Sequence, residues 1–580
     1  MAQLEIKNLN FSYPGNEYPG NEKTLKNINL SVEEGEFLLI VGASGCGKST
    51  LLRHIKPVLR PHGKMTGEIL MDGISVDKMD ERAQAERIGY VMQDPEMQIV
   101  TDKVWHELAF GLENLGVDNR SMHVRIAEMA SFFGIEGWFE RDVNTLSGGQ
   151  KQLLCLASVM VMRPDILLLD EPTSQLDPIA ASEFFDTVKR INTELGTTVV
   201  ITEHRTENLF PIVDRAAFME NGEIVCCCAP DKAAFALKNT VFYPTLPAAS
   251  RLYLDLNKEK NQQDSGKSEK RDKNTDNEEP EKAPVSVREG REYLKKLKTE
   301  GCISENQTEK ERPEKKTETA YTEETEPVIS MKNVWFRYER DSDDVLKGLD
   351  FDIPKGKLTC VIGGNGTGKS TALLTAAGIY RPYRGKVKFE GKPIEQIRKK
   401  GGMLDIAVLM QNPQLNFTME SIREELENTV KKYKLDAKKL NEVIETMQLE
   451  PILDRHPYDV SGGEIQRAAI AKLLLRDPKV LFLDEATKGM DAVFKQKFGQ
   501  LLKSIVAKGK TVLIVSHDIE FCAEFADNCA MFFNGTVTAC GAPKEVFLGN
   551  SFYTTAANRI ARGIVPGAVS VEDIVNAIRR

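Results

Sequence analysis

The pattern G-x-x-x-x-G-K-[ST] occurs twice in this chain, at 42–49 and at 363–370, each time directly after a short apolar run. Glycines at these spacings let backbone N–H groups turn inward around an anion, and a helix opening on the lysine adds its positive dipole end. The first loop runs Gly42, Ala43, Ser44, Gly45, Cys46, Gly47, Lys48, Ser49, Thr50, and the second Gly363, Gly364, Asn365, Gly366, Thr367, Gly368, Lys369, Ser370, Thr371. Such a cradle fits the phosphates of ATP: Lys48 and Lys369 reach the β and γ phosphates, and Ser49 and Ser370 offer hydroxyls to Mg2+. A single match could be a chance turn. Two matches, each behind an apolar strand, are not.

The loops belong to a longer repeat. LSGGQ (146–150) returns as VSGGE (460–464), LLLDEP (167–172) as LFLDEA (481–486), and His204 as His517. The lysines are offset by 321 positions, the signature serines and the glutamates by 314, and the histidines by 313. Constant order and near-constant spacing describe duplication of a whole domain, far longer than a solenoid unit. We read the copies as 1–250 and 328–580. Each reads as α/β. FLLIVG, ILLLD and TVVIT in the first copy, and LTCVIG, VLFLD and TVLIVS in the second, are all-apolar runs that suit central strands of a parallel sheet covered on both faces. Helical patterns lie between them, as in doubly wound folds.

Between the copies, 251–327 reads as a charged, disordered linker. From Asp255 to Glu326 there are 72 residues, of which 16 are Lys or Arg and 20 Asp or Glu. So polar a segment buries too little apolar surface to offset its ordering entropy. Val287, Tyr293, Leu294 and Leu297 supply a thin apolar stripe for one short helix near Arg288–Lys298, and VSVEDIVNAIRR at the C-terminal end reads as an amphipathic helix.

The 580 residues carry a net charge of -9, which argues against a chain whose work is neutralising nucleic-acid phosphates. No apolar run is long enough to span a bilayer, and MAQLEIKNLN lacks the layout of a signal peptide, so a cytosolic chain is expected. Ten cysteines without a C-x-x-C pair suggest reduced thiols rather than a zinc or redox motif. Cys226-Cys227-Cys228 is unusual. Successive strand side chains point to opposite faces, so three adjacent cysteines cannot ligate one metal without a break in the strand. Cys46 reads as a tolerated P-loop residue.

Asp170 and Asp484 end apolar strands, where a Mg2+-organising aspartate must sit. Glu171 and Glu485 follow, placed to accept a proton from an attacking water. His204 and His517 follow the next strand, and their repetition favours a γ-phosphate contact.

The order of P-loop, glutamine, SGGQ or SGGE, Asp-Glu and His resembles the nucleotide-binding domains of ABC ATPases, in both copies. That resemblance implies two RecA-like cores, each with a helical subdomain, paired head to tail as an intramolecular pseudo-dimer. ATP on Lys48 would be capped by Ser461, Gly462, Gly463 and Glu464, and ATP on Lys369 by Ser147, Gly148, Gly149 and Gln150. It implies that Gln93 and Gln411 sense Mg2+ and the membrane partner. Tyr13 and Tyr338 would stack on adenine, with Tyr18 an alternative to Tyr13. Asp177 and Asp491 would lie in the loops that couple the two sites. Glu464 replaces the usual glutamine, and Lys488 stands where the family has a small residue. Both lysines, glutamates and histidines are present, so two hydrolytic sites are expected.

The stretch QDPEMQIVTDKVWHELAFGLENLGV (93–117) resembles the ATPases of energy-coupling factor (ECF) importers of vitamins or transition-metal ions, while QNPQLNFTMESIREELE (411–427) keeps only its start. The resemblance implies a peripheral subunit on the cytoplasmic face of the membrane. Its partners would be an integral membrane coupling protein and a membrane substrate-binding protein, with Met97, Ile99 and Val100 facing the coupling helices. The alternatives are another importer (sugar or peptide), or a soluble translation factor on the ribosome. A linker of net -4 interrupted by proline and glycine counts against the last.

Overall fold

A computed structural model describes residues 2–14, 24–257, 282–301, 326–402 and 404–579. It divides into two compact units, Met1–Ser286 and Val287–Arg580, and each repeats one plan.

In the first unit, Phe37–Gly42, Thr198–Thr202, Ile166–Asp170 and Ile88–Val91 pair in parallel, and Arg215–Glu220 lies parallel on the other side of Phe37–Gly42. Glu223–Cys228 closes that six-stranded sheet as an antiparallel edge. The second unit repeats the order with Leu358–Ile362, Thr511–Val515, Val480–Asp484, Ile406–Leu409, Asn528–Phe533 and Thr536–Gly541. The all-apolar runs have the reason expected of them. Cys360, Leu481, Leu483, Val512 and Ile514 join one buried cluster, while Val361, Val480, Phe482, Leu513 and Val515 join another. Alternate residues of each strand therefore fill cores on opposite faces.

A four-stranded antiparallel sheet accompanies each six-stranded one: Ala2–Ser12, Leu25–Glu33, Lys64–Met71 and Ile74–Ser75 in the first unit. Leu4, Ile6, Leu9 and Phe11 share a cluster with Leu38, Ile40, Leu51 and Leu52, so this sheet covers the P-loop strand and its helix. The helices Val104–Asn114, Asn119–Phe133 and Gly148–Met160 form the helical part of the first unit.

The linker reading needs correction at its start, and the one helix expected within it forms. Helix Ala248–Asn257 carries the first unit past residue 250, with Leu252 and Leu254 buried. Helix Val287–Thr299 packs on Ala556–Ala561 and buries Gly290, Leu294 and Leu297. Upstream, Ala283 is buried and its N–H donates to the Asp231 carbonyl at 3.3 Å, while Ser250 Oγ donates to the Pro284 carbonyl at 2.7 Å. Leu294 and Leu297, part of the stripe read from the sequence, are the side chains that helix Val287–Thr299 buries. Tyr18, Cys302 and most of the linker lie outside the described residues. The C-terminal helix forms over Val571–Arg579 and buries Ile574 and Val575.

Candidate nucleotide sites

Each P-loop joins a central strand to a helix, Lys48–Ile55 in the first unit and Lys369–Ala376 in the second. Gly47 and Gly368 take φ of 106° and 94° at the helix starts. A Cβ at Gly47 would come within 2.9 Å of the Thr24 carbonyl oxygen, and one at Gly368 within 3.0 Å of that of Val345. Both positions thus need glycine for conformation and for space. The lysines are buried. Lys48 Nζ donates to the Gly42 and Ala43 carbonyls at 3.0 and 3.1 Å, and Lys369 Nζ to those of Gly363 and Gly364 at 3.1 and 2.7 Å. Each ammonium is curled over its own loop, where an anion would meet it.

Ser49 Oγ donates to Asp170 Oδ1 at 2.8 Å, and Ser370 Oγ to Asp484 Oδ1 at 3.1 Å. Hydroxyl plus carboxylate is the hard-oxygen set that suits Mg2+. Gln93 Nε2 donates to Glu171 Oε2 and Gln411 Nε2 to Glu485 Oε2, each at 3.2 Å. The glutamines read as cation ligands therefore meet the glutamates through their amide nitrogens, which leaves the amide oxygen as the atom with affinity for a cation.

Glu171 and Glu485 sit at φ of 44° and 52°, a backbone region that side chains rarely occupy. His204 Nε2 lies 3.0 Å from Glu171 Oε1, and His517 Nε2 3.3 Å from Glu485 Oε1. Both contacts are within ion-pair distance, yet neither Nε2 is aligned for a hydrogen bond. Buried ring nitrogens with unspent hydrogen-bonding capacity, Nε2 of His204 and both nitrogens of His517, fit a ligand that approaches beside the glutamate. Burial opposes the charge of Glu171, but His204 and Lys48 outweigh it and hold the carboxyl down at about 2. Glu485 is also held below its usual range against burial, by His517, Lys488 and Lys369. The neighbouring aspartates move the other way. Burial, with Glu171 beside it, raises Asp170, and burial raises Asp484 to about 6.

Tyr13 and Tyr338 are tethered by their hydroxyls to Thr50 Oγ1 at 3.2 Å and Thr371 Oγ1 at 3.0 Å, with their rings partly open to solvent. Phe11 and Phe336 meet them edge-on. Each unit thus brings its own tyrosine, P-loop, glutamine, Asp-Glu pair and histidine together.

The signature residues stand apart from that group, at the exposed start of another helix. Ser147 caps Gly148–Met160 and Ser461 caps Gly462–Leu475, each in a reciprocal capping box. Gln150 Oε1 accepts from the Ser147 N–H at 2.9 Å, and Glu464 Oε2 accepts from the Ser461 N–H at 2.8 Å. The Gln-to-Glu change keeps the cap because both side chains supply the same acceptor. Asp177 and Asp491 likewise cap Pro178–Leu195 and Ala492–Ala507.

Two groups on Asp170 escaped the sequence reading. Tyr90 OH donates to Oδ2 at 3.0 Å and Thr202 Oγ1 to Oδ1 at 2.9 Å. The available signal was a polar residue closing an apolar strand: Thr202 pairs with Asp170 across the sheet. Val515 pairs with Asp484, so the second site lacks that hydroxyl. Glu107 and Glu425 were also missed. Both are buried and clamp the chain just after the glutamine loop, Glu107 accepting from the N–H groups of Val100 and Thr101, Glu425 from those of Thr418 and Met419.

The ABC transporter family matches residues 25–174 and 346–488. An ABC transporter ATP-binding protein of Bacillus anthracis is 40% identical over 580 residues, covering all of this chain and 98% of that protein. The chain belongs to the ABC transporter ATP-binding family. This ABC protein is an ATPase with two nucleotide-binding domains in tandem, and proteins of its family work with membrane components. CbiO1 from Clostridium perfringens, part of the transporter complex CbiONQ, is 30% identical over 41% of this chain and 93% of its own, with a TM-score of 0.37. The archaeal ribosome recycling factor aABCE1, solved with the stalk protein aP1, covers 93% of this chain and 90% of its own at 19% identity and a TM-score of 0.55, a likeness of fold. No helix among the described residues is long and apolar enough to cross a membrane.

Proposed function

We propose that this ABC ATPase energises an ECF-type importer of a vitamin or transition-metal ion from the cytoplasmic face of the membrane. Its two domains pair head to tail, so that each signature serine caps the ATP on the opposite P-loop. The observation that carries the importer reading is the surface beside Gln93. Met97 and Val100 are 77% and 67% exposed, and Trp105 and Phe110 are partly exposed on the helix that follows. Apolar side chains held out by a clamped loop are the signature of an interaction surface, not of internal packing. The loop is coupled to the chemistry, because Gln93 bonds Glu171 and Glu107 braces Val100. In the second unit Leu415 is 71% exposed, while Phe417 turns inward.

At each site, Glu171 or Glu485 is ionised and takes the proton from the attacking water. His204 or His517 holds the γ-phosphate through its unspent ring nitrogen, and Lys48 or Lys369 carries phosphate charge. Ser49 with Asp170, and Ser370 with Asp484, would hold Mg2+, with the oxygens of Gln93 and Gln411 in support. Bound there, Mg2+ would neutralise phosphate charge.

The test is co-purification of the tagged chain from its native membranes in mild detergent. The expected result is a multi-span coupling protein with a small membrane protein, both lost in Met97→Asp/Val100→Asp while ATP binding is kept. Recovery of ribosomal subunits with no membrane protein would overturn the importer reading. Recovery of membrane-spanning proteins that need a soluble binding protein would make it another class of importer.

A further inference from the structure

The cysteine run has a geometry that nucleotide chemistry does not use. Glu223–Cys228 is the edge strand of the first six-stranded sheet, and its register slips between Ile224 and Cys226, which face Met219 and Phe218. Val225 is skipped, a β-bulge that resets the alternation of the strand. Ile224 and Cys227 pack against the core, and Arg215 Nη2 donates to Cys227 Sγ at 2.9 Å. Cys226 and Cys228 point the other way, both free and partly exposed, with their sulfurs 3.6 Å apart.

The second unit serves as an internal control. Its edge strand slips at the corresponding place, between Val537 and Ala539, which face Phe532 and Met531, and Cys540 packs against the core as Cys227 does. Ala539 and Gly541 stand where the first unit has Cys226 and Cys228, paired to Met531 and Cys529. The inward cysteine therefore belongs to the shared plan, and the outward pair is peculiar to the first unit.

We propose that Cys226 and Cys228 form a dithiol site for one thiophilic metal ion of the zinc–cadmium class. Sulfurs 3.6 Å apart can each stand about 2.3 Å from a common ion, at an S–metal–S angle of roughly 100°, in the tetrahedral range for thiolate-bound zinc. A disulfide fits less well. Residues two apart on a strand have Cα atoms about 6.6 Å apart, at the far limit for a disulfide bridge. Soft thiolates also exclude the Mg2+ that the nucleotide sites suit. Binding forms two S–metal bonds and releases two thiol protons to solvent, with no change of oxidation state. Among the described residues, no set of three His, Cys, Asp or Glu side chains is placed to hold a metal. Water fills the other positions, and the ion exchanges readily.

The experiment titrates the reduced full-length chain with Cd2+ and follows the thiolate-to-cadmium charge-transfer absorption. The expected result is one saturable site in the parent and in Cys227→Ser, weakened at least about tenfold in Cys226→Ser and in Cys228→Ser. Metal-free thermal unfolding of each variant must match the parent. Where a serine variant does not match, alanine at the same position replaces it. An unchanged band in both outward variants, or none in the parent, overturns the proposal.

Discussion

Around Asp170 and Asp484, the two copies differ in the hydroxyls that reach the carboxylate. Asp170 receives hydroxyls from Ser49, Tyr90 and Thr202, whereas Asp484 faces Val515 where Thr202 would be and accepts from Ser370. Burial raises both aspartates, and hydroxyl donors stabilise the charged form that a cation requires. Thr202→Val should therefore make the first site behave more like the second. Removing one neutral donor from a buried carboxylate costs on the order of 1–3 kcal/mol. The first unit should unfold more easily by about that amount, and turnover measured in a Glu485→Gln background should need more Mg2+ for half-maximal rate. An unchanged Mg2+ requirement would show that the hydroxyl is merely packed against the carboxylate. In the companion variant Glu171→Gln/Glu485→Gln, ATP binding should persist while hydrolysis falls at least about a hundredfold, the usual scale for a lost general base. Single-turnover measurement separates the two steps.

The helices that begin at the sites carry their own tests. The P-loop helix Lys48–Ile55 ends at Lys56, whose Nζ donates to the Ile88 carbonyl at 2.6 Å. Burial lowers this lysine from 10.5 to about 8. Between those values the unfolded chain holds a proton that the folded one has lost, so stability should climb as pH rises through that window. Below about pH 8 both states are charged, and the fold carries the whole cost of about 3 kcal/mol. Denaturant unfolding of Lys56→Met across pH 7–11 should lack this rise relative to the parent. At the signature, Ser461→Ala should cost about 1 kcal/mol through loss of the cap, whereas Glu464→Gln should change stability by less than about 0.5 kcal/mol. Thermal unfolding of the two variants side by side decides this.

Such elements differ in how openly the sequence declares them. The strands Ile166–Asp170 and Val480–Asp484 are legible because a doubly covered strand must be apolar throughout. Strand Ala2–Ser12 is less so, because register shifts after Ile6 and Leu9 break its alternation and Asn8 takes a positive φ. The P-loop, Asp-Glu pair and histidine that each copy gathers were legible as motifs, since glycine, lysine and carboxylate at fixed spacing have few other uses. The hydroxyls on Asp170 were not, because a tyrosine and a threonine at strand ends have many uses and only the sheet order makes them neighbours.

At the scale of the whole molecule, the duplication gives both copies a P-loop and a signature of their own. Each unit gathers a P-loop, a glutamate and a histidine, while its own signature serine stands exposed at the start of a separate helix. The proposed head-to-tail pairing gives those helix starts a role, since their N–H groups and dipole favour an anion. A difference between the copies makes the pairing testable. The first P-loop carries Cys46, and the second has Thr367 at the same place. If Ser461 caps the first site, Ser461→Cys lies opposite Cys46. In the Glu171→Gln/Glu485→Gln chain, mild oxidation should then join the two sulfurs when ATP is present, and far less without it. Peptide mapping reads the bridge directly, and Cys46→Ser should abolish it. Ser147→Cys should give no such bridge, because its counterpart across the interface is Thr367. Equal bridging with and without ATP would mean that nucleotide does not close the pair. Failure of Ser461→Cys together with bridging of Ser147→Cys to Cys46 would mean that each unit caps its own nucleotide, and the head-to-tail arrangement would fall.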